Sequence, residues 1–313
     1  MINTLSILIP TYNNVCIELV KSLQAQAALL ASSHSSSQNY NSSNNESSST
    51  FEYEILVADD GSTDSSSIES NRFINKLEHC RYIERKQNVG RAAIRNFLAQ
   101  KAKYPWLLFI DSDLHIYNPR FLQNYLHAEG KIIVGGLKIA GKPNKLAHNL
   151  RYKYEKACET EHDYLHRTQK ENKEFRTTNF LIAKSILQAC PFNENFKHYG
   201  YEDVLLGKQL TDKGYHIKHI DNPAVLDEYE GNYHFLQKTE EACRTLYLFR
   251  EELKDYSKLI AYAQLIKNWH LYSVCQHLFP WISLPIKARL TGNKPSVLWF
   301  NIYKLLYYIH LDA

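Results

Sequence analysis

The sequence predicts an α/β fold in which helices flank a Rossmann-like, mostly parallel sheet. The first observation is that short apolar runs alternate with helical stretches through the first half of the chain. The second is that polar clusters follow four of these runs, as they do at the ligand-binding ends of parallel strands. With 313 residues, 44% of them hydrophobic, the chain is long enough for one large domain and a helical C-terminal extension.

Each predicted strand is a short run rich in apolar residues and bounded by polar ones. The five are Leu5–Ile9, Glu54–Ala58, Arg81–Arg85, Trp106–Ile110 and Lys131–Gly135. The predicted helices carry apolar residues at three- and four-residue spacing. They are Val15–Ala31, Ser65–Leu77, Gly90–Lys103, much of 142–176, Asp203–Lys213 and the aromatic stretch from about Thr239. Thr177–Leu187 is a further apolar run.

We divide the chain into an α/β domain, residues 1–240, and a helical extension, residues 241–313. Residues 32–50 contain ten Ser and four Asn, too polar to repay the entropy of ordering, and are predicted to form a flexible surface loop. Residues 256–313 carry six Lys or Arg against one Asp, together with eleven aromatic side chains. This pattern favours peripheral contact with an anionic membrane surface; packing on the α/β domain or on a second subunit is the alternative.

The cysteines, the N-terminus and the distribution of charge indicate where the protein acts and what it binds. The six cysteines have no CxxC pair or regular spacing, which argues against a zinc site or disulfides and suits a reducing compartment. The N-terminus shows no features of an export signal. We therefore expect a cytoplasmic protein, with the tail as a contact to the inner face of the cytoplasmic membrane. Nucleic-acid binding is not expected, because the positive charge does not line the predicted crevice.

Two polar clusters near the N-terminus are candidates for nucleotide contacts. The first, Pro10-Thr11-Tyr12-Asn13-Asn14, follows the first strand. Its proline ends the strand and its polar residues can offer hydrogen bonds, although a plain turn has the same composition. The second begins with Asp59 and Asp60 and enters a helix. These carboxylates could cap the turn, or one could accept the imide N–H of a uracil or the ribose hydroxyls.

The third cluster combines a helix N-terminus with two arginines. Asn88 and Gly90 open the helix, and Arg91 and Arg95 lie on one face of it at i, i+4 spacing. A diphosphate binds well at such a terminus, although the arginines could instead face solvent.

The fourth cluster, Asp111-Ser112-Asp113, follows four consecutive apolar residues. Those residues describe a strand buried on both faces, where ionised carboxylates are costly unless a cation compensates them. Asp111 and Asp113 are two residues apart, project to the same side and can share one hard cation. Mg²⁺ or Mn²⁺ is usually presented to a nucleotide diphosphate in this way, so the sequence predicts a metal-assisted nucleotide site.

In order and spacing these clusters resemble family 2 glycosyltransferases of the GT-A fold. The runs that carry the resemblance are ILIPTYNN, VADDGSTD, NVGRAAIRN, FIDSDL and FNENFKHYGYED, within about residues 4–240. The resemblance implies a mixed sheet, a nucleotide-diphospho-sugar donor with a UDP-sugar favoured, a saccharide or lipid-linked acceptor, Mn²⁺ or Mg²⁺, and inversion at the anomeric carbon. It also implies Asp59 and Asp60 at the nucleoside, Asp111 at the ribose or metal, and Asp113 on the metal.

Glu202 and Asp203 fall at the acceptor-side motif of that family. The resemblance implies that Asp203 is the general base for the attacking hydroxyl and that Glu202 orients the acceptor. An acidic pair that favours a helix N-terminus is the alternative. Arg91 or Arg95, together with the metal, would neutralise the leaving diphosphate. The expected enzyme is a hexosyl- or N-acetylhexosaminyl-transferase of bacterial surface polysaccharide synthesis.

One departure from the family pattern concerns the metal. Relatives commonly place a metal-binding His shortly after an Asn-Pro pair, but here Asn222-Pro223 is followed by Asp227. Asp227 or His234 is then the candidate third ligand; otherwise Asp113 and the substrate phosphates alone hold the metal. A catalytically degenerate nucleotide-sugar-binding protein is therefore the second functional hypothesis. A nucleotidyltransferase is less favoured, because the first polar cluster contains neither Gly nor Lys.

Overall fold

The computed structural model describes residues 2–36, 50–170, 172 and 174–313. Residues 37–49, most of the predicted flexible loop, lie outside the described residues, so that expectation stays a prediction. The described chain forms a central seven-stranded sheet, a second sheet of two strands and the helices that cover them.

The strands are short and most are buried. In chain order they are β1 (Thr4–Thr11), β2 (Glu52–Asp59), β3 (Cys80–Glu84), β4 (Trp106–Ile110), β5 (Ile132–Val134), β6 (Leu137–Ile139), β7 (Asn179–Ala183), β8 (Lys218–His219) and β9 (Ala224–Leu226). The central sheet has the order β3-β2-β1-β4-β7-β5-β8, and β6 pairs with β9. Neighbouring strands are parallel except β7, which runs antiparallel to β4 and β5. A mixed, mostly parallel sheet confirms the predicted fold class.

Helices flank this sheet and continue to the end of the chain. They are α1 (Ile17–Ser36), α2 (Ser65–Arg72), α3 (Arg91–Lys101), α4 (Phe121–His127), α5 (Pro143–Leu146), α6 (Leu150–Cys158), α7 (Tyr164–Gln169), α8 (Lys184–Ala189), α9 (Glu202–Asp212), α10 (Asn232–Leu248), α11 (Arg250–Leu253), α12 (Lys258–Asn268), α13 (Tyr272–Thr291) and α14 (Val297–His310). Short 3₁₀ helices occupy Phe73–Lys76 and Glu159–His162.

The continuous apolar runs of β1 and β4 follow from burial on both faces of the sheet. Leu8 and Phe109 join a core that includes residues of α3, α8 and α9. Ile7 and Leu108, one residue earlier in each strand, join a second core with α1 and α4. Because successive strand residues point to opposite faces, both faces of these strands must be hydrophobic.

Most differences from the predicted elements involve the shortest ones. The five predicted strands are confirmed in position, with Lys131–Gly135 reduced to β5. The run Thr177–Leu187 divides into β7 and α8. The strands β6, β8 and β9 were not predicted, because two to three residues cannot establish a period. The seven-residue helix α4 was not predicted either.

The C-terminal helices pack on the α/β domain. Helix α10 crosses the predicted boundary between residues 240 and 241, and its Cys243 and Leu246 belong to the same core as Leu8. On its other side, the Phe235 ring stacks on Phe300 of α14 with centroids 5.3 Å apart. The extension therefore shares its core with the sheet, which is one of the two packing alternatives. In the described part of the chain, no helix has the length and apolar character needed to span a membrane.

Candidate functional site

The strand order of the central sheet reverses between β1 and β4, which lie side by side in parallel. Ligands of open α/β sheets bind at such a switch point, outside the carboxyl ends of the strands. The segments Pro10–Asn14 and Asp111–Asp113 leave these two ends. They meet where the Asn14 side-chain amide donates a hydrogen bond to Ser112 Oγ over 3.2 Å. The first and fourth polar clusters therefore share one crevice.

Asn13 connects the first polar cluster to the second through hydrogen bonds. Its backbone N–H donates to Ser62 Oγ at 2.7 Å, and its side-chain oxygen accepts from the Thr63 and Asp64 N–H groups at 2.8 and 3.0 Å. Its φ of 49° is a left-handed conformation that Asn tolerates better than most residues. Tyr12 lies exposed beside it. The two clusters predicted for the nucleotide thus form one connected surface.

Asp59 is buried at the end of β2, and its carboxylate accepts hydrogen bonds from other residues of the chain. Its Oδ1 accepts from the Ser62 N–H at 2.7 Å, and its Oδ2 accepts from the Tyr82 hydroxyl. Thr11 takes part in the same corner, because its carbonyl oxygen accepts from the Asp60 N–H at 2.9 Å. In this structure the first aspartate of the pair therefore shapes the turn.

Asp60 joins the second polar cluster to the third. Its buried carboxylate accepts from the Val89 and Gly90 N–H groups at 3.1 and 3.0 Å, and burial raises the pKa of this carboxyl. Gly90 has a φ of 93°, and a Cβ there would lie 2.9 Å from the Lys197 carbonyl oxygen, so a glycine is required. Asn88 Oδ1 accepts a further bond from the Gly90 N–H at 3.0 Å. These contacts fix the start of α3.

Arg91 and Arg95 of α3 bridge two carboxylates. Arg91 donates from Nη2 to Asp111 Oδ2 at 3.0 Å and from Nε to Glu202 Oε1 at 2.8 Å. Arg95 donates from Nη2 to Asp111 Oδ1 at 2.7 Å and from Nη1 to Glu202 Oε1 at 3.3 Å. Four charge-assisted hydrogen bonds thus join the carboxyl end of β4 to the N-terminus of α9. We call these four residues the arginine network.

The arginine network favours the charged forms of Asp111 and Arg91. Burial raises the pKa of Asp111, but the Arg95 and Arg91 guanidinium groups outweigh it and hold that pKa below its ordinary value. Burial lowers the pKa of Arg91, but Asp111 and Glu202 raise it well above its ordinary value. Asp111 and Arg91 are therefore both charged at neutral pH.

This geometry differs from three roles expected from the sequence. Arg95 is 1% exposed, so its guanidinium does not face a diphosphate. Asp111 directs both oxygens to guanidinium groups rather than to a shared cation. Glu202 is buried in the same network instead of lying open to an acceptor. The physical reason is that a buried arginine needs carboxylate partners, and Glu202 returns to α3 from far along the chain.

Asp203 lies beside the arginine network in the first turn of α9 and is partly buried. The two residues before the helix, Gly200 and Tyr201, have positive φ values of 100° and 69°. A left-handed conformation in a tyrosine is strained, and such strain often accompanies functional sites. Burial and then the Glu202 charge raise the pKa of Asp203 to about 6. A carboxylate with this pKa can accept a proton near neutral pH.

Asp113 is half exposed and contacts a residue that sequence reasoning did not identify. Arg151 of α6 donates from Nη2 to Asp113 Oδ2 at 3.2 Å, and its Nη1 lies 3.5 Å from Glu230 Oε1. Burial lowers the pKa of Arg151, but Asp113 and Glu230 shift it above its ordinary value. Arg151 belongs to a stretch rich in Lys and Glu, so no signal in the sequence distinguished it.

Asp227 makes its contacts with a different set of side chains. The His115 Nδ1–H donates to Oδ1 at 2.7 Å, and the Tyr117 hydroxyl donates to Oδ2 at 2.6 Å. His234, the other candidate ligand, places Nε2 3.4 Å from Glu230 Oε2. Across the residues that the structure describes, no three His, Cys, Asp or Glu side chains group as a metal site. Asp111, Asp113 and Asp227 therefore do not form the predicted joint site by themselves.

Sequence comparison relates the chain to known proteins. The profile described as Glycosyl transferase family 2 matches residues 6–190, more than half of the 313. A chondroitin synthase of Pasteurella multocida is 25% identical over 92% of this chain and 30% of its own length. A hyaluronan synthase of Pasteurella multocida is 27% identical over 78% of this chain and 28% of its own length. The chain thus spans less than a third of these relatives.

Two solved structures share the fold. S. aureus TarS in complex with UDP-GlcNAc matches with a TM-score of 0.51 and 16% identity, covering 99% of this chain and 91% of that one. The mannosyltransferase PcManGT from Pyrobaculum calidifontis, in complex with GDP-Man and Mn²⁺, matches with a TM-score of 0.50 and 14% identity, covering 97% and 84%. These similarities confirm the GT-A fold. Because the family profile covers more than half of the sequence, the chain belongs to glycosyl transferase family 2.

Proposed function

We propose that the chain transfers a sugar from a nucleotide-diphospho-sugar to an acceptor hydroxyl, with inversion at the anomeric carbon. The observation that carries the proposal is that Asp111 and Glu202 share Arg91 and Arg95. Asp203 follows Glu202 directly in the first turn of α9, which supports a role for Asp203 near the point where the four polar clusters meet. In the proposal Asp203 is the base, and the network keeps it in a fixed relation to the donor site.

The proposed reaction is a single displacement. The acceptor oxygen attacks the anomeric carbon while the bond between that carbon and the diphosphate oxygen breaks. The acceptor proton passes to the Asp203 carboxylate, and the electron pair of the broken bond leaves with the nucleoside diphosphate. Attack from the side opposite the leaving group inverts the configuration. Arg91, the more exposed member of the arginine network, is the cation proposed to face the developing negative charge.

The donor is proposed to be a UDP-sugar that carries a hexose or N-acetylhexosamine. Support comes from the polar surface formed by Tyr12 and Asn13 with the Asp59–Asp64 turn, and from the UDP-GlcNAc in the TarS complex. The Pasteurella relatives are polysaccharide synthases, which supports a saccharide or lipid-linked acceptor in bacterial surface polysaccharide synthesis. All six cysteines are free, which supports a cytoplasmic site of action.

The residues fit a divalent cation, Mn²⁺ or Mg²⁺, through Asp113. Its carboxylate is half exposed and makes one guanidinium contact, whereas both oxygens of Asp111 and of Asp227 are engaged. Such cations are often held by one or two carboxylates, with substrate phosphates and water as the other ligands. When bound, the cation would neutralise charge on the diphosphate. Asp227 would bind the cation only if its hydrogen bonds with His115 and Tyr117 were broken.

Proton NMR with a panel of UDP- and GDP-sugars and short saccharide acceptors tests the reaction type. We expect one donor to be consumed and the product to have the anomeric configuration opposite to that of the donor. Retention would contradict single displacement with Asp203 as the base. A donor that binds without turnover would favour the nucleotide-sugar-binding protein, the alternative that Asp227 in place of a His supports.

A further inference from the structure

Helix α13 is apolar on two opposite faces. Phe279, Ile286 and Leu290 are buried against the C-terminal core. On the other side, Val274, Leu278, Trp281 and Leu284 are exposed, with Trp281 and Leu284 reaching 82% and 73% exposure. Residues three and four apart lie on one face of a helix, so the four exposed side chains form a continuous stripe. We call them the α13 stripe.

Large exposed apolar side chains continue past both ends of the α13 stripe. Trp269 and Leu271 immediately precede α13. Leu298 and Trp299, also exposed, lie in the first turn of α14, a few residues after α13 ends. Three of the four tryptophans of the chain are therefore exposed in or beside α13 and at the start of α14. An exposed apolar patch of this size marks an interaction site.

The charges around the α13 stripe are positive. Lys267 precedes Trp269, Arg289 lies three helical turns after Leu278 on the same side of α13, and Lys294 follows that helix. All three are exposed, and within the described part of the chain none of them pairs with a carboxylate. Two other lysines of the tail pair with carboxylates, Lys258 with Glu161 and Lys287 with Glu240. Lys304 lies over the Tyr154 and Phe300 rings, and Lys267 lies over the Tyr272 ring with its charge still exposed.

We propose that the α13 stripe docks the protein on an anionic lipid bilayer. Leucine and tryptophan side chains enter the boundary between headgroups and acyl chains, while neighbouring Lys and Arg side chains contact anionic headgroups. A second copy of the chain fits this surface less well. An interface built from the same face on both copies would collect their unpaired cations without acidic partners. The proposal is independent of the transferase reaction, because it uses no residue of the crevice.

Co-sedimentation of the full chain with vesicles tests the docking. We expect binding to vesicles of phosphatidylcholine mixed with phosphatidylglycerol, little binding to phosphatidylcholine alone, and weakening by salt. The Trp281→Gln/Leu284→Gln variant should lose at least about tenfold in affinity, since two apolar side chains no longer enter the lipid. Leu29→Gln is the matched control, because Leu29 is 70% exposed on α1, and its affinity should not change. Arg289→Gln and Lys294→Gln should each cost about fivefold, on anionic vesicles only.

Several outcomes would overturn the proposal. One is a wild-type chain that does not bind anionic vesicles. Another is an equal loss in the Leu29→Gln control, which would indicate a non-specific effect. A third is a dimer, detected by light scattering, that Trp281→Gln/Leu284→Gln dissociates, because the stripe would then be occupied by a second copy. Equal thermal unfolding of all variants keeps loss of folding from being mistaken for loss of docking.

Discussion

Asp111 and Glu202 accept hydrogen bonds from the same two guanidinium groups, although Asp111 directly follows β4 and Glu202 begins α9. The pairing ties the proposed donor side of the crevice to the helix that carries Asp203. Because Arg95 is buried and Arg91 is partly exposed, the two arginines are expected to differ in what they support. Arg95 should contribute mainly to the stability of the fold, whereas Asp203 should contribute mainly to the rate of the reaction.

Removing the buried cation of the arginine network is expected to destabilise the fold. Arg95→Met leaves Asp111 and Glu202 with one shared guanidinium, so the free energy of unfolding should fall by roughly 3–5 kcal/mol. Urea denaturation measures the change. Arg120→Met, at an exposed position before α4, is the control and should stay within about 0.5 kcal/mol. A loss of less than about 1 kcal/mol in Arg95→Met would show that the network is not a stabilising unit.

Asp203→Asn is expected to separate catalysis from binding. Without a proton acceptor the transfer rate should drop at least about 100-fold, while calorimetric binding of the nucleoside diphosphate should be unchanged. Asp212→Asn, on the same helix and paired with Lys208, is the control and should keep its rate. If both variants transfer equally well, Asp203 is not the base.

The pKa of Asp203 sets a pH dependence with a definite sign. The folded-state value of about 6 lies above the ordinary 3.8, so below pH 6 the carboxyl is protonated and the transfer rate should fall. The raised pKa also means that ionised Asp203 costs stability above pH 6, a cost that declines as the pH falls from 6 and is absent below about 3.8. Asp203→Asn should therefore unfold less readily than wild type at pH 8 but not at pH 4. Rate–pH profiles and urea denaturation at both pH values check these expectations; a rate unaffected between pH 5 and 7 would contradict them.

Metal binding should depend on Asp113 more than on Asp227. Electron paramagnetic resonance of Mn²⁺ titrated into protein and UDP reports the affinity without any turnover. Asp113→Asn should weaken it at least about tenfold, as loss of a carboxylate ligand does. Asp227→Asn should have a much smaller effect, because both oxygens of Asp227 already have partners. The reverse ranking would assign the cation to Asp227.

Two N-cap glycines provide a matched test of the loop that starts α3. Gly90→Ala should cost more than about 1 kcal/mol of unfolding free energy, because φ is 93° and the Cβ would meet the Lys197 carbonyl oxygen at 2.9 Å. Gly231, the N-cap of α10, has a φ of −65°, and a Cβ added there would meet no atom within 4 Å. Gly231→Ala should therefore cost clearly less. Equal losses in urea denaturation would mean that capping, not this close approach, sets the requirement at Gly90.

The fold and the meeting of the four polar clusters could be predicted because both follow from parallel βαβ units. Once Leu5–Ile9 and Trp106–Ile110 are parallel strands of one sheet, their carboxyl ends must lie on the same edge. The positions of the long helices follow from the period of their apolar residues, although the predicted and observed ends differ by a few residues. Strands such as β8, with two residues, have no period to detect.

Partners from distant parts of the chain could not be predicted from local pattern. The i, i+4 spacing of Arg91 and Arg95 places them on one face of α3, but nothing local shows that Glu202 meets that face. Arg151 was missed for the same reason, because its role depends on where α6 packs relative to Asp113. Asp203 was identified through the family resemblance, and its raised pKa depends on burial that only tertiary structure supplies.

Metal-dependent sugar transfer is tested by measuring the nucleoside diphosphate released from a panel of nucleotide sugars, with Mn²⁺, Mg²⁺ or EDTA, for wild type and Asp113→Ala. We expect wild type to release the diphosphate from one donor, EDTA to stop the release, and Asp113→Ala to be at least about tenfold slower. A wild-type chain that neither binds nor turns over any donor in the panel would contradict it.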